Sequence, residues 1–599
     1  MKLNPYYLIG LITLAALTSL GESSQKGERK YHRTRRQAKK RGKSELVEHV
    51  RQSVNTTIYA KTRKSNKSHG KGKGKGYNAL EPTPNPTQSP TVSTHPSSMP
   101  SVSSEPSSIR PTTSSPPSIS MKPSQYICQS NSGRNTDIVH ILNSISKHIV
   151  PGSPQEEAAT WLKFVDKSDN CNHELRERYI LAILFYSTHG DNWKDKSKWL
   201  SNDDHCSWFG VTCKHNNVQR LTLSENGLKG TIPSELAFLS SLDCIVFDTN
   251  KLHGHVPAEI FGLHDLHRFD VEHNQLIGQF FQPEFFQCNE TLKMLQIRDN
   301  LFSGTLPSEI NSLTKLEDFR FDKNNFTGTL PDMNQLTDLI YFKGSDNLLS
   351  GTIPNFFSSE MTQLKVIDLT DNELTGKIPH AIGNLNKLER LYLGGMYLSG
   401  TIPYSFWKLS NLIDFFAYDN QLSGEIPDSI GGLTHLESLF LSYNNLKGNI
   451  PHFTSHKLDY LNLKKNGLSG TIPASLFDIE SLRLLYLSSN QLTGTIPEDF
   501  HTANTLKDLF LDDNKLTGLI PEITANALPA ITEIVLNSNH LAGSIPDGYC
   551  ELHDILDQYL AIHADCSKVG PGDAQNDCSC CAECHTGKGA ILDRTPYNV

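Results

Sequence analysis

Cysteine is scarce in this chain: 12 residues in 599, too few for a fold held by disulfides alone. Charged residues make up 20% and hydrophobic residues 37%, with a mean hydropathy of −0.39. Part of the chain is therefore expected to be solvated rather than packed, although the Leu-rich stretches exclude wholesale disorder. Outside residues 6–20, no apolar run approaches the ~20 residues of a membrane-spanning helix. The signatures of common enzymes are missing as well. There is no phosphate loop and no nucleophile elbow, and none of the 24 histidines stands in zinc-protease spacing. The kinase strings Val-Ala-Ile-Lys, His-Arg-Asp and Asp-Phe-Gly are absent. No enzyme, catalytic residue, cofactor or metal is expected.

The net charge of −8 hides a split. Residues 26–75 carry 18 Lys/Arg against 3 Glu, so a basic arm precedes an acidic body. Before the arm, residues 1–21 read as a secretory signal: a short charged start, an apolar run and small residues near Gly21. An uncleaved membrane anchor is the alternative. The basic arm, 22–81, suits polyanions: an anionic glycan, lipid or mineral surface for a secreted chain, and no nucleic acid. Residues 82–125 form a stalk. Pro, Ser and Thr supply 31 of the 43 residues from 82 to 124, a composition of extended, glycosylated spacers that builds no core.

From 218 to 539 the chain repeats itself as L-x-x-L-x-L-x-x-N-x-L-x-G-x-I-P. Asparagines fall at 226, 250, 274, 300, 324, 347, 372, 420, 444, 466, 490, 514 and 539, with Met396 in the slot of one further unit. The expected fold is an α/β solenoid of about 14 repeats with capped ends, over 218–546. In the unit around Asn444, Leu439 and Leu441 point inward and Phe440 outward on a short strand. The strands stack in parallel, and each asparagine amide satisfies backbone groups that the turn leaves unpaired. No repeat buries its apolar face alone, so stacking supplies the core.

Leu-Ser-Gly-Thr-Ile-Pro at 398–403 and Leu-Thr-Gly-Thr-Ile-Pro at 492–497 resemble the plant-type leucine-rich repeat of receptor-like proteins and polygalacturonase inhibitors. The segment before the repeats, 126–217, is similar to that family's helical N-terminal cap. Residues 179–186 read as a helix, and Cys206-Ser-Trp208-Phe-Gly210-Val-Thr-Cys213 is similar to its capping motif. The resemblance implies a Cys206–Cys213 disulfide. With Ser153-Pro154-Gln155, Trp161-Leu162 and the Cys-rich tail, the layout resembles leucine-rich-repeat proteins of diatoms.

Residues 547–599 are expected to be a Cys-rich cap and tail, its cysteines paired in a secreted chain. Cys581-Ala-Glu-Cys584-His585 matches a haem-attachment string, but no haem-pocket domain follows, and oxidation outside the cell competes with zinc in the cluster at 578–584. The state of Cys244 and Cys288 is open. Asn55, Asn66, Asn289 and Asn325 begin glycosylation triplets. Asn325 directly follows ladder residue Asn324, so its side chain should be exposed.

Function should lie on the concave strand face, where outward positions carry no core duty. The residue between the two core leucines reads, repeat by repeat, Thr222, Val246, Asp270, Gln296, Arg320, Lys343, Asp368, Tyr392, Phe416, Phe440, Asn462, Tyr486, Phe510, Val535. Its first half is charged. Its second half is an aromatic ridge of Tyr392, Phe416, Phe440, Tyr486 and Phe510, flanked by Tyr418 and Tyr443. Such a ridge suits a peptide or a sugar face, with Asp414, Asp419, Asp512 and Asp513 offering hydrogen bonds; it is equally how aromatics pave a sheet. Asp299, Asp346, Asp371 and Asp419, just before the ladder asparagines, suit turn chemistry. The expected function is non-enzymatic extracellular recognition of a protein, peptide or glycan ligand, with a signalling co-receptor as a further partner. A wall or matrix component and an inhibitor of secreted hydrolases are the alternatives.

Overall fold

The structure, a computed structural model, describes residues 134–146, 149–167, 172–355, 360–524, 527–555, 560–565 and 583–585. All of them fall in one compact unit, Lys122–Lys588. The expected signal, basic arm and stalk lie outside the described residues, as do Asn55, Asn66 and most of the cysteine cluster near the C-terminus. Among the described residues, no helix is long and apolar enough to cross a membrane.

Three helices open the described chain: α1 (Arg134–Ile145), α2 (Pro154–Phe164) and α3 (Asn172–Ser187). Ser153 caps α2 by accepting from the Glu156 amide, and Pro154 takes the first helical turn, where a missing N–H costs nothing. The helices close on a buried cation. The Arg178 guanidinium lies over the rings of both Trp161 and Trp208, at 5.4 and 4.9 Å. Its guanidinium donates to Asp166 Oδ1 (2.7 Å) and to the carbonyls of Ser201 (2.6 Å) and Asp203 (2.7 Å). Fixed acceptors on every side are what make a buried charge tolerable. Cys206 and Cys213 are joined by a disulfide in the same cap, while Cys244 and Cys288 are buried free thiols.

A hairpin, Val211–Lys214 against Asn217–Thr222, starts the long sheet. One short parallel strand per repeat follows. Residues paired across neighbouring strands run Thr222, Val246, Asp270, Gln296, Arg320, Lys343, Asp368, Tyr392, Phe416, Phe440, Asn462, Tyr486, Phe510, Val535. This is the column read from the repeat phase, in the same order. The sheet then continues through Ala561–Asp565 and Glu583–His585. The segment read as a cap and tail therefore adds strands of its own to the long sheet. A second parallel sheet, from the Leu-x-Gly-x-Ile-Pro half of the unit, runs beside the first from Lys229–Gly230 to Asn445–Lys447.

The asparagines form the ladder that the repeat predicts. Asn444 Nδ2 donates to the carbonyls of Ala417 (2.8 Å) and Leu441 (3.1 Å), and its Oδ1 accepts from the Leu422 amide (2.9 Å). The residue before each ladder position has positive φ, from Glu225 (51°) through Asp299 (53°), Asp371 (59°) and Tyr443 (57°) to Ser538 (58°). This left-handed turn is where Asp and Asn are tolerated best, so the acidic residues before the asparagines serve the turn. Gly448 (φ 81°) takes the tight bend that follows: a Cβ there would stand 2.8 Å from Glu425 Cγ.

Candidate recognition face

Parity along each strand sets three columns on the open face of the long sheet. The central column is the one above. Two residues earlier stand Arg268, Met294, Asp318, Tyr341, Arg390, Asp414, Tyr460 and Asp508; two residues later stand Glu272, Arg298, Asp322, Tyr418, Ser442 and Asp512.

The aromatic part is contiguous, as strand spacing requires. Ring centroids are 4.9 Å apart for Tyr392–Phe416, 4.4 Å for Phe416–Phe440 and 4.7 Å for Tyr486–Phe510. Asn462 separates the two groups. Tyr460, in the neighbouring column, turns its ring parallel to Phe440 at 6.0 Å and extends the first group sideways. The sequence reading did not name Tyr460 among the flanking residues. Tyr418 lies over Gly394: a Cβ at that glycine would meet the ring at 2.5 Å. Tyr443 sits in the left-handed turn, with the Lys465 ammonium 4.9 Å from its ring.

Two expectations about this face are corrected. Its positions are not all free. Tyr486 is only 6% exposed, and Val246, Asp270 and Gln296 are buried too. Phe416, Phe440 and Phe510 keep a half-exposed edge. Asp414 is not an open hydrogen-bonding group either. It is buried, and its Oδ2 accepts from Tyr392 Oη (2.8 Å) and Arg390 Nε (3.1 Å). Asp508 does the same for Tyr486 at 3.0 Å. Asp512 accepts from Ser488. Asp419 and Asp513 stand at left-handed turn positions.

The polar half is a linked network. Arg268 donates to Asp270 (2.8 Å) and Gln296 (3.3 Å), Gln296 to Asp318 (2.9 Å), and Arg320 grips Asp318 through two bonds (2.8 and 2.7 Å). Beside it, Arg298 Nε pairs with Asp322 Oδ2 at 2.7 Å. Burial raises the pKa of Asp270, Glu272 and Asp368, and takes Glu272 to about 7, helped by the negative charge of Asp270. His273 is raised through its bond to Asp299 (2.7 Å). The repeat phase marked this half as charged but gave no sign of how deep the carboxylates lie.

Away from the face, Asn325 is exposed on the second sheet and Asn289 is half-buried at the end of a short 3-10 helix, Pro283–Cys288. His264 is exposed and His267 half-buried. Among the described residues, the grouping with metal-ligand spacing is His205 with Cys206 and Cys213, and the disulfide occupies both of its sulfurs.

Models of the leucine-rich repeat match residues 345–398, and 217–239, 435–456 and 481–503. The chain is 30% identical to Receptor-like protein 39 and 33% identical to Pollen receptor-like kinase 2, both of Arabidopsis thaliana. These matches cover 34% and 27% of this chain, and it spans about a quarter of the length of each relative, 26% and 24%. Among solved structures, the Arabidopsis receptor kinase HAESA, in complex with the peptide hormone IDA and the co-receptor SERK1, is 30% identical with a TM-score of 0.55 over 65% of this chain and 70% of that one. PEPR1 with AtPEP1 is 26% identical, with a TM-score of 0.57 over 65% and 55%. The chain belongs to the leucine-rich-repeat family, and its repeats are of the plant type carried by the receptor-like proteins it resembles.

Proposed function

We propose that this protein is a non-enzymatic extracellular recognition protein that binds an extended peptide along the open face of its long sheet. The observation that carries this reading is the half-exposed Tyr392–Phe416–Phe440 cluster, continuous with Tyr460 and set beside a polar network on the same face. Aromatic rings with one wet edge suit partners that are apolar on one side and polar on the other. Hydrogen bonds from Tyr392 to Asp414 and from Tyr486 to Asp508 hold the ring positions, so little ordering cost falls on binding. The similarity to HAESA, whose structure holds the peptide hormone IDA and the co-receptor SERK1, supports a peptide over a glycan and gives a co-receptor a precedent.

Fluorescence anisotropy with labelled extended octapeptides, carrying either one Phe or none, tests the reading. Wild type should prefer the Phe-bearing peptide, and Phe416→Ala with Phe440→Ala should abolish that preference. Equal binding of the two peptides by wild type would contradict it.

A further inference from the structure

The column two residues beyond the central one reads Asp248, Glu272, Arg298, Asp322 over four consecutive repeats. Three carboxylates there meet one guanidinium. The surrounding cations are committed: Arg268 to Asp270 and Gln296, Arg320 to Asp318, and Arg298 to Asp322 Oδ2. Arg268 Nε and Arg298 Nε keep no hydrogen-bond acceptor of their own among the described residues, although Arg298 Nε lies in the ion pair with Asp322, and two carboxylate oxygens are left over as acceptors. Asp322, 5% exposed, has an Oδ1 without a hydrogen-bond partner among the described residues, and so does Glu272 at Oε1. Buried carboxylate oxygens without donors are rare in folded proteins, because each forgoes a charge-assisted bond. Glu272 as a whole is half-buried, two residues beyond the central column of the open face, with its Oε1 turned inward.

We propose that the strip around Glu272 and Asp322 is a subsite for one cationic side chain, a guanidinium or an ammonium, of the peptide that the aromatic cluster binds. This rests on the peptide reading above and adds the sign and spacing of the ligand. The two acceptors flank the strand Met294–Gln296, and the ring cluster centres on the strand Asp414–Phe416. Five strand steps separate them, about 24 Å at ~4.8 Å per step. An extended peptide covers that distance in about seven residues. The ligand is a peptide with a basic residue about seven positions from an aromatic or large apolar one. The carboxylates of Asp248, Glu272 and Asp322 select against an acidic residue at the same place.

The probes are Ac-Arg-Gly-Ser-Gly-Ser-Gly-Ser-Phe-NH2 and the reverse order, each with Arg→Gln and Phe→Ala counterparts, titrated against the full chain at neutral pH and low salt. In the orientation that binds, replacing Arg should weaken binding about tenfold or more. Glu272→Gln with Asp322→Asn should abolish the difference between the Arg and Gln peptides while leaving the effect of Phe. A Phe effect without an Arg effect overturns the cationic subsite and leaves the aromatic reading standing. An Arg effect that persists undiminished in the double variant overturns the assignment to these residues. Loss of both effects in wild type overturns the subsite and the aromatic reading together.

Discussion

Tyr392 and Asp414 are joined across one strand step: the phenol donates to Asp414 Oδ2 at 2.8 Å, and Arg390 donates to the same oxygen at 3.1 Å. The bond turns a tyrosine that alternation alone would place outward into a fixed wall of the face. Burial and the Asp414 charge both push the Tyr392 phenol well above its ordinary pKa. Tyr392→Phe should lower stability by about 1–2 kcal/mol in urea unfolding, the scale of one hydrogen bond to a charged group. Tyr486→Phe should cost a similar amount through Asp508. No change in either midpoint would mean that these bonds do not hold the ring positions.

Asn444→Leu removes the amide that serves Ala417, Leu441 and Leu422 while keeping side-chain volume. Several buried backbone groups lose their partner at once, so the expected cost is about 3 kcal/mol or more. Met396 occupies a ladder slot without an amide and is buried. Met396→Leu at that slot should therefore cost under ~1.5 kcal/mol. Thermal unfolding of both variants gives the contrast directly.

Arg178→Met should destabilise the N-terminal cap by about 3–5 kcal/mol, because it removes the guanidinium that donates to the buried Asp166 carboxylate at 2.7 Å. Hydrogen exchange should show early opening of α2 and α3 and unchanged protection near Asn444. Uniform loss of protection would contradict a local role.

Glu272 has a folded pKa of about 7, against an ordinary 4.5. The groups facing it are Asp270, Arg298, Arg320 and Asp322. The folded protein thus binds this proton more tightly than the unfolded chain. Its penalty is absent below about pH 4.5, grows as pH rises and is complete above about 7. Glu272→Gln should raise the melting temperature at pH 8 and leave it nearly unchanged at pH 4.5. An equal shift at both pH values would remove the burial effect.

Most of the architecture could be read from the chain. The asparagine phase and the two-residue alternation fix which residues share a face, and the central column appears in the structure in the order read. Depth could not be read in the same way. Whether Tyr486 is covered depends on side chains one strand away, 22 to 26 residues distant in sequence. Tyr460 and Glu272 went unnoticed for the same reason: their roles rest on side chains of other repeats, Phe440 for Tyr460 and Arg298, Arg320 and Asp322 for Glu272. The strand Ala561–Asp565 carries none of the repeat's asparagine or leucine spacing, so only its pairing with Glu533–Val535 reveals it.

The most direct test of recognition by this face is photo-cross-linking. The octapeptide carries benzoylphenylalanine in place of Phe, and the attachment sites are mapped by mass spectrometry. The account predicts adducts on the segments holding Tyr392, Phe416, Phe440 and Tyr460, competed away by the unlabelled Phe peptide. Competed adducts confined to the second sheet or to the N-terminal helices would contradict it.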